Sequence, residues 1–424
     1  MGMDVLSLII FVVCIVLFVW DRLPMATTAI LGCVAMVICG VCDFKTAFGQ
    51  FASSTVVLTI GVMVIGAAIS ETGLAATIGN WIIEKAHGSE TKLLIGTYLV
   101  SAGMSMFLTN SAVLAVFIPI IMGVSMSDSR IKAKNLIIPI AIGCAFGGLS
   151  TLVGATQQMT AQGLLEEAGE RTFKTFDFLP IGGILIVVGL VYCLTLGKKF
   201  AQRAWGNREE DTDFEWEAGK TKSSYNKTKM IIVSVIFAFT VVFYITEWIP
   251  LAVTSTTAAL LCIITGCIDQ KKAIAKVNWN IIGRLAGCLG MGKALEVAGG
   301  TDLIAGFFHD MVGTSISPYL LFCILVLLVQ VTSEFISNST ALLIVFPIIL
   351  AVAPSMGLNT YAYAIGITIA SGAVLSCPLA GSTLGMSMVV GYRFNDYFKY
   401  SFVLDVISYL IIIVSVPLIY GLTI

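Results

Sequence analysis

Charge is what this sequence has least of. Only 12% of its 424 residues are Asp, Glu, Lys or Arg, against about 25% in a soluble globular domain. That is too little to cover a water-facing surface. Basic and acidic residues nearly cancel, 24 against 25, which removes the electrostatic footprint of a nucleic-acid binder. The only histidines are His87 and His309, and no Cys/His cluster has metal-site spacing. A Ser/His pair, paired catalytic aspartates and a His-x-x-x-Glu zinc set are also missing, so an intramembrane enzyme has no visible centre. The start, Met-Gly-Met-Asp, lacks the basic residues and the small-residue cleavage site of a signal peptide. The run Val5 to Trp20 therefore reads as a retained span. Leu6 departs from the myristoylation pattern. The eleven cysteines are scattered through apolar runs as small hydrophobes. Cys39-Gly-Val-Cys42 has redox spacing, but the equivalent Gly266-Cys267-Ile-Asp269 lacks the second thiol. Gly290-Met-Gly-Lys293 lies inside an apolar run without the rest of a phosphate loop.

Apolar sequence is what is abundant, at 58%. Its runs recur along the whole length, many near the ~20 residues that cross a bilayer. They are continuous rather than alternating, which implies helices and not a barrel. The expectation is an all-α, multi-pass membrane protein.

A shift of about 226 to 228 residues aligns the two halves, and such self-similarity decides the architecture. Pro24 falls on Pro250, and Gly40-x-x-Asp43 on Gly266-x-x-Asp269. Gly61, Gly66 and Gly73 fall on Gly287, Gly292 and Gly299. Phe107-Leu-Thr-Asn-Ser111 falls on Phe335-Ile-Ser-Asn-Ser339, and each is followed by an apolar stretch to a proline, Pro119 or Pro347. The first repeat is 1–196, with spans near 4–20, 24–41, 52–70 and 178–196 and a short helix near 74–86. The second is 230–424, with spans near 230–247, 250–267, 280–298 and 400–422. Each holds a long polar-centred run (92–126, 317–354) and a second interrupted run (134–165, 359–390).

The run 92–126 sets the topology. As one helix it would be about 52 Å long, against a ~30 Å hydrocarbon core. Split at Asn110, each arm is short for a span. Lys92 at one end, and Arg130, Lys132 and Lys134 past the other, want the same side. The run is therefore read as a re-entrant hairpin. Each repeat then makes five crossings, an odd number, so the repeats are inverted. Placing the segment 197–229, with its eight Lys/Arg, in the cytoplasm puts both termini outside. It leaves only Lys45, Arg171 and Lys174 as external basic residues, in keeping with the positive-inside rule. Arg284 and Lys293 fall within a span. Residues 197–229 read as a solvated linker.

Each hairpin tip carries hydroxyl and amide side chains: Thr109, Asn110 and Ser111, then Ser337, Asn338, Ser339 and Thr340. Beside each lies a second polar break, Gly147 to Gln158 and Ser376 to Thr383, where glycines and a proline unwind the helix. Unwound backbone at membrane depth persists only where it lines a cavity or is buried in protein. Its carbonyls, with the hydroxyls, are hard oxygen ligands suited to Na⁺. The helix starting at each Asn turns its N–H groups and positive end to the tip, which favours an anion. Helix-to-helix adhesion by Ser, Thr and Asn is the plainer account, but four clusters paired by the repeat and set at helix breaks favour a binding site.

The motifs Thr332-Ser-Glu334-Phe-Ile-Ser337-Asn338-Ser339-Thr340-Ala341, Ser105-Met-Phe-Leu-Thr109-Asn110-Ser111-Ala112 and the glycine-rich Gly147 to Gln158 resemble those of the divalent anion/sodium symporter family. The resemblance covers nearly the whole chain. It implies an elevator mechanism with scaffold and transport domains, a homodimer in the plasma (cytoplasmic) membrane, Na⁺ as coupling ion, and a small anion, first a di- or tricarboxylate. By position it implies one sodium site at Ser105, Thr109, Asn110 and Gly154, and a second at Ser333, Ser337, Asn338 and Gly381. The anion would meet Asn110, Ser111, Thr156, Asn338, Ser339 and Ser382. The family's usual Ser-Asn-Thr reads Thr-Asn-Ser and Ser-Asn-Ser here, and Ala155 stands where a hydroxyl is usual. The competing expectations are an arsenite or proton-coupled exchanger, using Glu71, Glu296, Lys293, Glu334 or Asp405, and an anion channel.

Overall fold

The computed structural model describes residues 2–20, 23–86, 88–127, 131–206, 226–300, 303, 317–378 and 382–423. Among these the protein is helical throughout, with one isolated antiparallel bridge between Leu358 and Thr423. Equivalent positions in the two halves take equivalent local structure. Pro24 and Pro250 each precede a helix, Met25–Ile38 and Leu251–Ile264, with nearly the same backbone angles. The fixed φ of proline suits that place. Gly40 and Gly266 follow those helices at φ +71° and +70°, a left-handed turn that glycine enters without a Cβ penalty. The side chains of Asp43 and Asp269 then cap the next short helices, accepting the N–H of Thr46 and of Lys271.

A frame of six helices comes from both halves: Met3–Trp20, Met25–Ile38 and Ser54–Glu71, with Lys227–Thr246, Leu251–Ile264 and Trp279–Val297. Its contacts recur with partners exchanged. A Cβ added at Gly61 would lie 2.7 Å from the Ser255 Cβ, and one at Gly287 would lie 2.8 Å from the Ala29 Cβ. Gly61 and Ala29 of the first half correspond to Gly287 and Ser255 of the second. In both contacts small residues let the backbones approach.

The second body holds the hairpins and broken helices. The first hairpin has arms Glu90–Ser105 and Asn110–Ser127, and the second has arms Pro318–Phe335 and Asn338–Ser355. In each, the arms pack on one another and on the helix that follows, Ala133–Gly148 or Thr360–Gly372. The expectation that each arm of the first hairpin is short for a span holds for Glu90–Ser105, at 16 residues, and fails for its partner arm. Asn110–Ser127 and Pro318–Phe335, at 18 residues each, are long and apolar enough to cross a membrane. What marks the hairpins is the break and the folding-back of the arms. The broken helices resume as Thr156–Glu167 and Ser382–Ser387 after unwound stretches. The helices Leu179–Leu194 and Phe394–Tyr420 complete this body.

The segment expected to be a solvated linker from residue 197 begins instead with a packed helix, Leu196–Ala204, bent 54° from the preceding one. Gly197, Ala201 and Ala204 bury one face of it. Trp205 stacks on Tyr400 at 5.3 Å, and its Nε1 donates to Asn135 Oδ1 at 3.1 Å. Residues 207–225 of that segment lie outside the described residues.

Large apolar side chains stay exposed in stripes. On Phe394–Tyr420 these are Phe398, Phe402, Val406, Leu410, Val414 and Leu418, four residues apart on one helix face. On Lys227–Thr246 they are Ile231, Val235, Phe239, Val242 and Ile245. Surfaces of this kind meet lipid rather than water. The protein is an integral membrane protein.

Candidate functional site

At the first tip the arm ends at Ser105 and the chain restarts as helix at Asn110. Ser105 is fully buried, and its Oγ donates to Asn110 Oδ1 at 2.5 Å. The break after Gly148 folds against this turn. The Thr151 hydroxyl donates to the Met106 carbonyl, and Gln158 Nε2 donates to the Gly148 carbonyl at 3.1 Å. Gly154 sits where these elements converge. A Cβ there would lie 2.6 Å from Gly148 O and 2.8 Å from Ser105 O, and a Cβ at Gly148 would lie 2.3 Å from Asn110 Oδ1. Only glycine leaves the space that these oxygens enclose. Thr109 contributes its backbone, its carbonyl accepting the N–H of Ala112 and of Val113. Ser111, half-buried, is the second residue of the restarted helix.

At the second tip Ser333 is likewise fully buried. Its Oγ lies 3.1 Å from Asn338 Oδ1 and donates to the Ser371 carbonyl at 2.6 Å, in the helix that leads to the second break. Ser337 caps Asn338–Ser355, its Oγ accepting Thr340 N–H and lying 2.7 Å from the Thr340 hydroxyl. The Thr156 hydroxyl of the first half lies 3.2 Å from that of Ser339 in the second. Gln157 also crosses between the halves: a Cβ at Gly372 would lie 2.2 Å from its Nε2. The breaks therefore interlock rather than standing apart. Gly381 and the side chain of Ser382 lie outside the described residues. Of the residues expected from sequence, the structure brings together Ser105, Asn110 and Gly154, then Ser333, Asn338, Ser337 and Ser339, with Thr156 as the bridge.

Two features of the site rest on tertiary contacts that the sequence pattern does not encode. Arg284, on the frame helix Trp279–Val297, reaches the second tip, with Nη1 3.3 Å from Ser337 Oγ and Nη2 3.5 Å from Ser339 Oγ. Its signal was present, since an ionisable residue within a span is a functional candidate by default. The second feature is Asp405. Its carboxylate accepts Leu375 N–H at 3.0 Å and the Ser376 hydroxyl, fixing the unwound backbone of the second break.

Every oxygen at the first tip is neutral, from carbonyl, hydroxyl or amide. Such donors suit a hard monovalent cation with most of its water removed. The N–H groups that open the helices at Asn110 and Asn338 suit an anion beside it.

The family model described as Citrate transporter matches residues 15–318. The one described as Sodium:sulfate symporter transmembrane region matches residues 223–423. The chain is similar to the uncharacterized transporter YfbS of Escherichia coli, 31% identical over 45% of this chain and 31% of that protein, so it spans about a third of that relative. It is similar to the sodium-dependent dicarboxylate transporter SdcS of Staphylococcus saprophyticus, 21% identical over 80% of this chain and 72% of that protein. Its fold is shared with the Alcanivorax borkumensis YdaH transporter, whose crystal structure shows an unusual topology. The TM-score is 0.64 at 13% identity, covering 89% of this chain and 88% of that one.

Proposed function

The chain belongs to the divalent anion/sodium symporter family of the ion transporter superfamily, and from that premise we propose that it is a secondary active carrier that moves a small anion, a di- or tricarboxylate first, together with Na⁺. The observation that carries this reading is the neutral oxygen set at the first tip: Ser105, Asn110 and the carbonyls beside Gly154. It provides cation ligands and, one residue on, a helix start that favours an anion. A Na⁺ bound there adds positive charge beside the anion and orders the tip before the anion arrives. The names of the matched relatives, sodium:sulfate symporter and sodium-dependent dicarboxylate transporter, support the same reading.

The remaining architecture follows as part of the proposal. The two halves are inverted repeats, supported by the exchanged Gly61–Ser255 and Gly287–Ala29 contacts. The frame stays fixed while the hairpin body moves as an elevator. The working unit is a homodimer in the cytoplasmic membrane with both termini outside. A Na⁺ jump on proteoliposomes tests the function: saturable, Na⁺-driven uptake of succinate, citrate or sulfate is expected. A large ohmic current would make the protein a channel, and the absence of any Na⁺-driven flux would remove symport.

One observation favours a second reading, proton coupling. Glu71 pairs with Lys272, and Glu296 with Lys293 at 3.1 Å, so both are engaged outside the tips. Glu334 and Asp405, by contrast, lie close together at the second break, and one buried carboxylate oxygen of Glu334 has no hydrogen-bond partner among the described residues. Neighbouring carboxyl groups at membrane depth are the side chains that a proton relay in a carrier uses. Anion uptake driven by an acid gradient without Na⁺ would establish this reading and displace the first.

A further inference from the structure

Three separate elements converge on the Ser339 hydroxyl. Ser339 belongs to the second tip, Thr156 of the first half lies 3.2 Å from it, and Arg284 Nη2 of the frame lies 3.5 Å from it. The same guanidinium is 3.3 Å from Ser337 Oγ. A fixed cation at membrane depth is costly, and such residues face functional cavities. The repeat does not demand it. The equivalent residue in the first half is Leu58, packed in an apolar cluster with Val62, Val153, Met159 and Tyr244. Nor do the hydroxyls need it to be held, since Ser337 and Thr340 already bond to each other at 2.7 Å. The two contacts to Ser337 and Ser339, at 3.3 and 3.5 Å, are longer than the usual N–H···O bond. A carboxylate oxygen placed beside Ser339 would exchange them for a shorter, charge-assisted bond, and the planar fork of arginine matches a carboxylate with two parallel donors.

We propose that Arg284 is a substrate-recognition residue supplied by the frame. It takes one carboxylate, or an equivalent oxyanion group, of a multiply charged anion whose other oxygens meet Thr156, Asn338 and Ser339. The inference rests on the reading of the protein as an anion carrier and adds the residue that reads the charge: Arg284 is what makes an anion with two or more negative charges bind better than the same skeleton with one.

The test uses the purified full chain as wild type, Arg284→Gln and Arg284→Lys, each checked for monodisperse elution. Each is titrated with succinate and with monomethyl succinate at saturating Na⁺. The wild type binds succinate more tightly than the ester. Arg284→Gln loses about tenfold or more in succinate affinity but less than about threefold for the ester, and Arg284→Lys recovers part of the succinate loss. Thermal stabilisation by Na⁺ alone stays the same in all three. No loss, or an equal loss for both ligands, overturns the proposal. Should neither variant fold, Ser339→Ala decides: a larger loss for succinate than for the ester supports the proposal, and an equal loss for both overturns it. Wild-type protein that binds neither succinate, citrate nor sulfate with Na⁺ sinks the carrier reading instead, and this proposal with it.

Discussion

The two hairpin tips share one frame and face different surroundings. At the first, an arm ends on buried Ser105, an asparagine opens the next helix, and backbone carbonyls from the neighbouring break close over the turn. The frame residue opposite is Leu58, and Phe107 of the tip packs on the same apolar cluster. At the second tip hydroxyls predominate: Ser333, Ser337, Ser339 and Thr340, with Arg284 at the position equivalent to Leu58. Matched positions in the two halves keep their helix breaks, while the side chains around the two tips differ. On the proposed reading, the carbonyl-rich, apolar-backed tip takes the cation. On the same reading, the hydroxyl-rich tip with its guanidinium takes the anion. The Thr156–Ser339 contact joins them into one cradle.

Substitutions at matched positions separate the two tips. The largest effect is expected from the asparagines common to both tips. Asn110→Ala and Asn338→Ala each abolish uptake in proteoliposomes while the protein still elutes as a single folded species. Normal transport by either would remove that tip from the site.

Next come two glycines whose neighbours differ. A methyl at Gly154 meets backbone carbonyls, which cannot turn aside, whereas one at Gly372 meets the ends of the Gln157 and Leu149 side chains. Gly154→Ala should lower thermal stability by about 1–3 kcal/mol and erase stabilisation by Na⁺, with Gly372→Ala costing less. The reverse order in a melting experiment would contradict the placement of the carbonyl cluster.

A finer contrast lies in the paired serines. Ser333 donates to the buried Ser371 carbonyl as well as facing Asn338, while Ser105 serves Asn110. Ser333→Ala therefore leaves a buried acceptor without its donor, at about 1–3 kcal/mol of stability. Ser105→Ala chiefly raises the Na⁺ concentration needed for half-maximal uptake. At saturating Na⁺ the Ser105→Ala protein recovers most of its anion affinity, whereas Asn110→Ala does not. The smallest effect belongs to Thr156→Val, which removes one neutral hydrogen bond worth about 1 kcal/mol and should weaken anion binding roughly fivefold with no change in Na⁺ binding.

Much of this was legible in the sequence because the repeat writes each feature twice. The prolines, glycines and aspartates at Pro24/Pro250, Gly40/Gly266 and Asp43/Asp269 have local jobs that sequence alone reveals: a helix start, a left-handed turn and a cap. The breaks at Asn110 and Asn338 are legible because an amide with hydroxyls in an apolar run can be satisfied there only at a turn or a site. What departs from the repeat was harder to read. Arg284 replaces Leu58, so aligning the copies shows a mismatch without saying what it faces. The reach from the frame to Ser339 is a tertiary distance that no periodicity encodes. Asp405 is similar, since its partners Leu375 and Ser376 lie about thirty residues away on another element. The packed helix Leu196–Ala204 was concealed by its charges. Gly197, Ala201 and Ala204 form a narrow small-residue face among Lys198, Lys199 and Arg203, and composition alone reads that stretch as solvated.

The claim that holds the account together is that cation and anion occupy adjacent parts of one cradle. Calorimetric titration of the purified protein with succinate, citrate or sulfate across a Na⁺ series, with Li⁺ and K⁺ as controls, tests it most directly. Anion affinity should rise with Na⁺ by about 5- to 150-fold, and by linkage the anion should raise Na⁺ affinity by the same factor. Anion affinity that stays flat across the Na⁺ series but rises on acidification would contradict the account and move the coupling to Glu334 and Asp405.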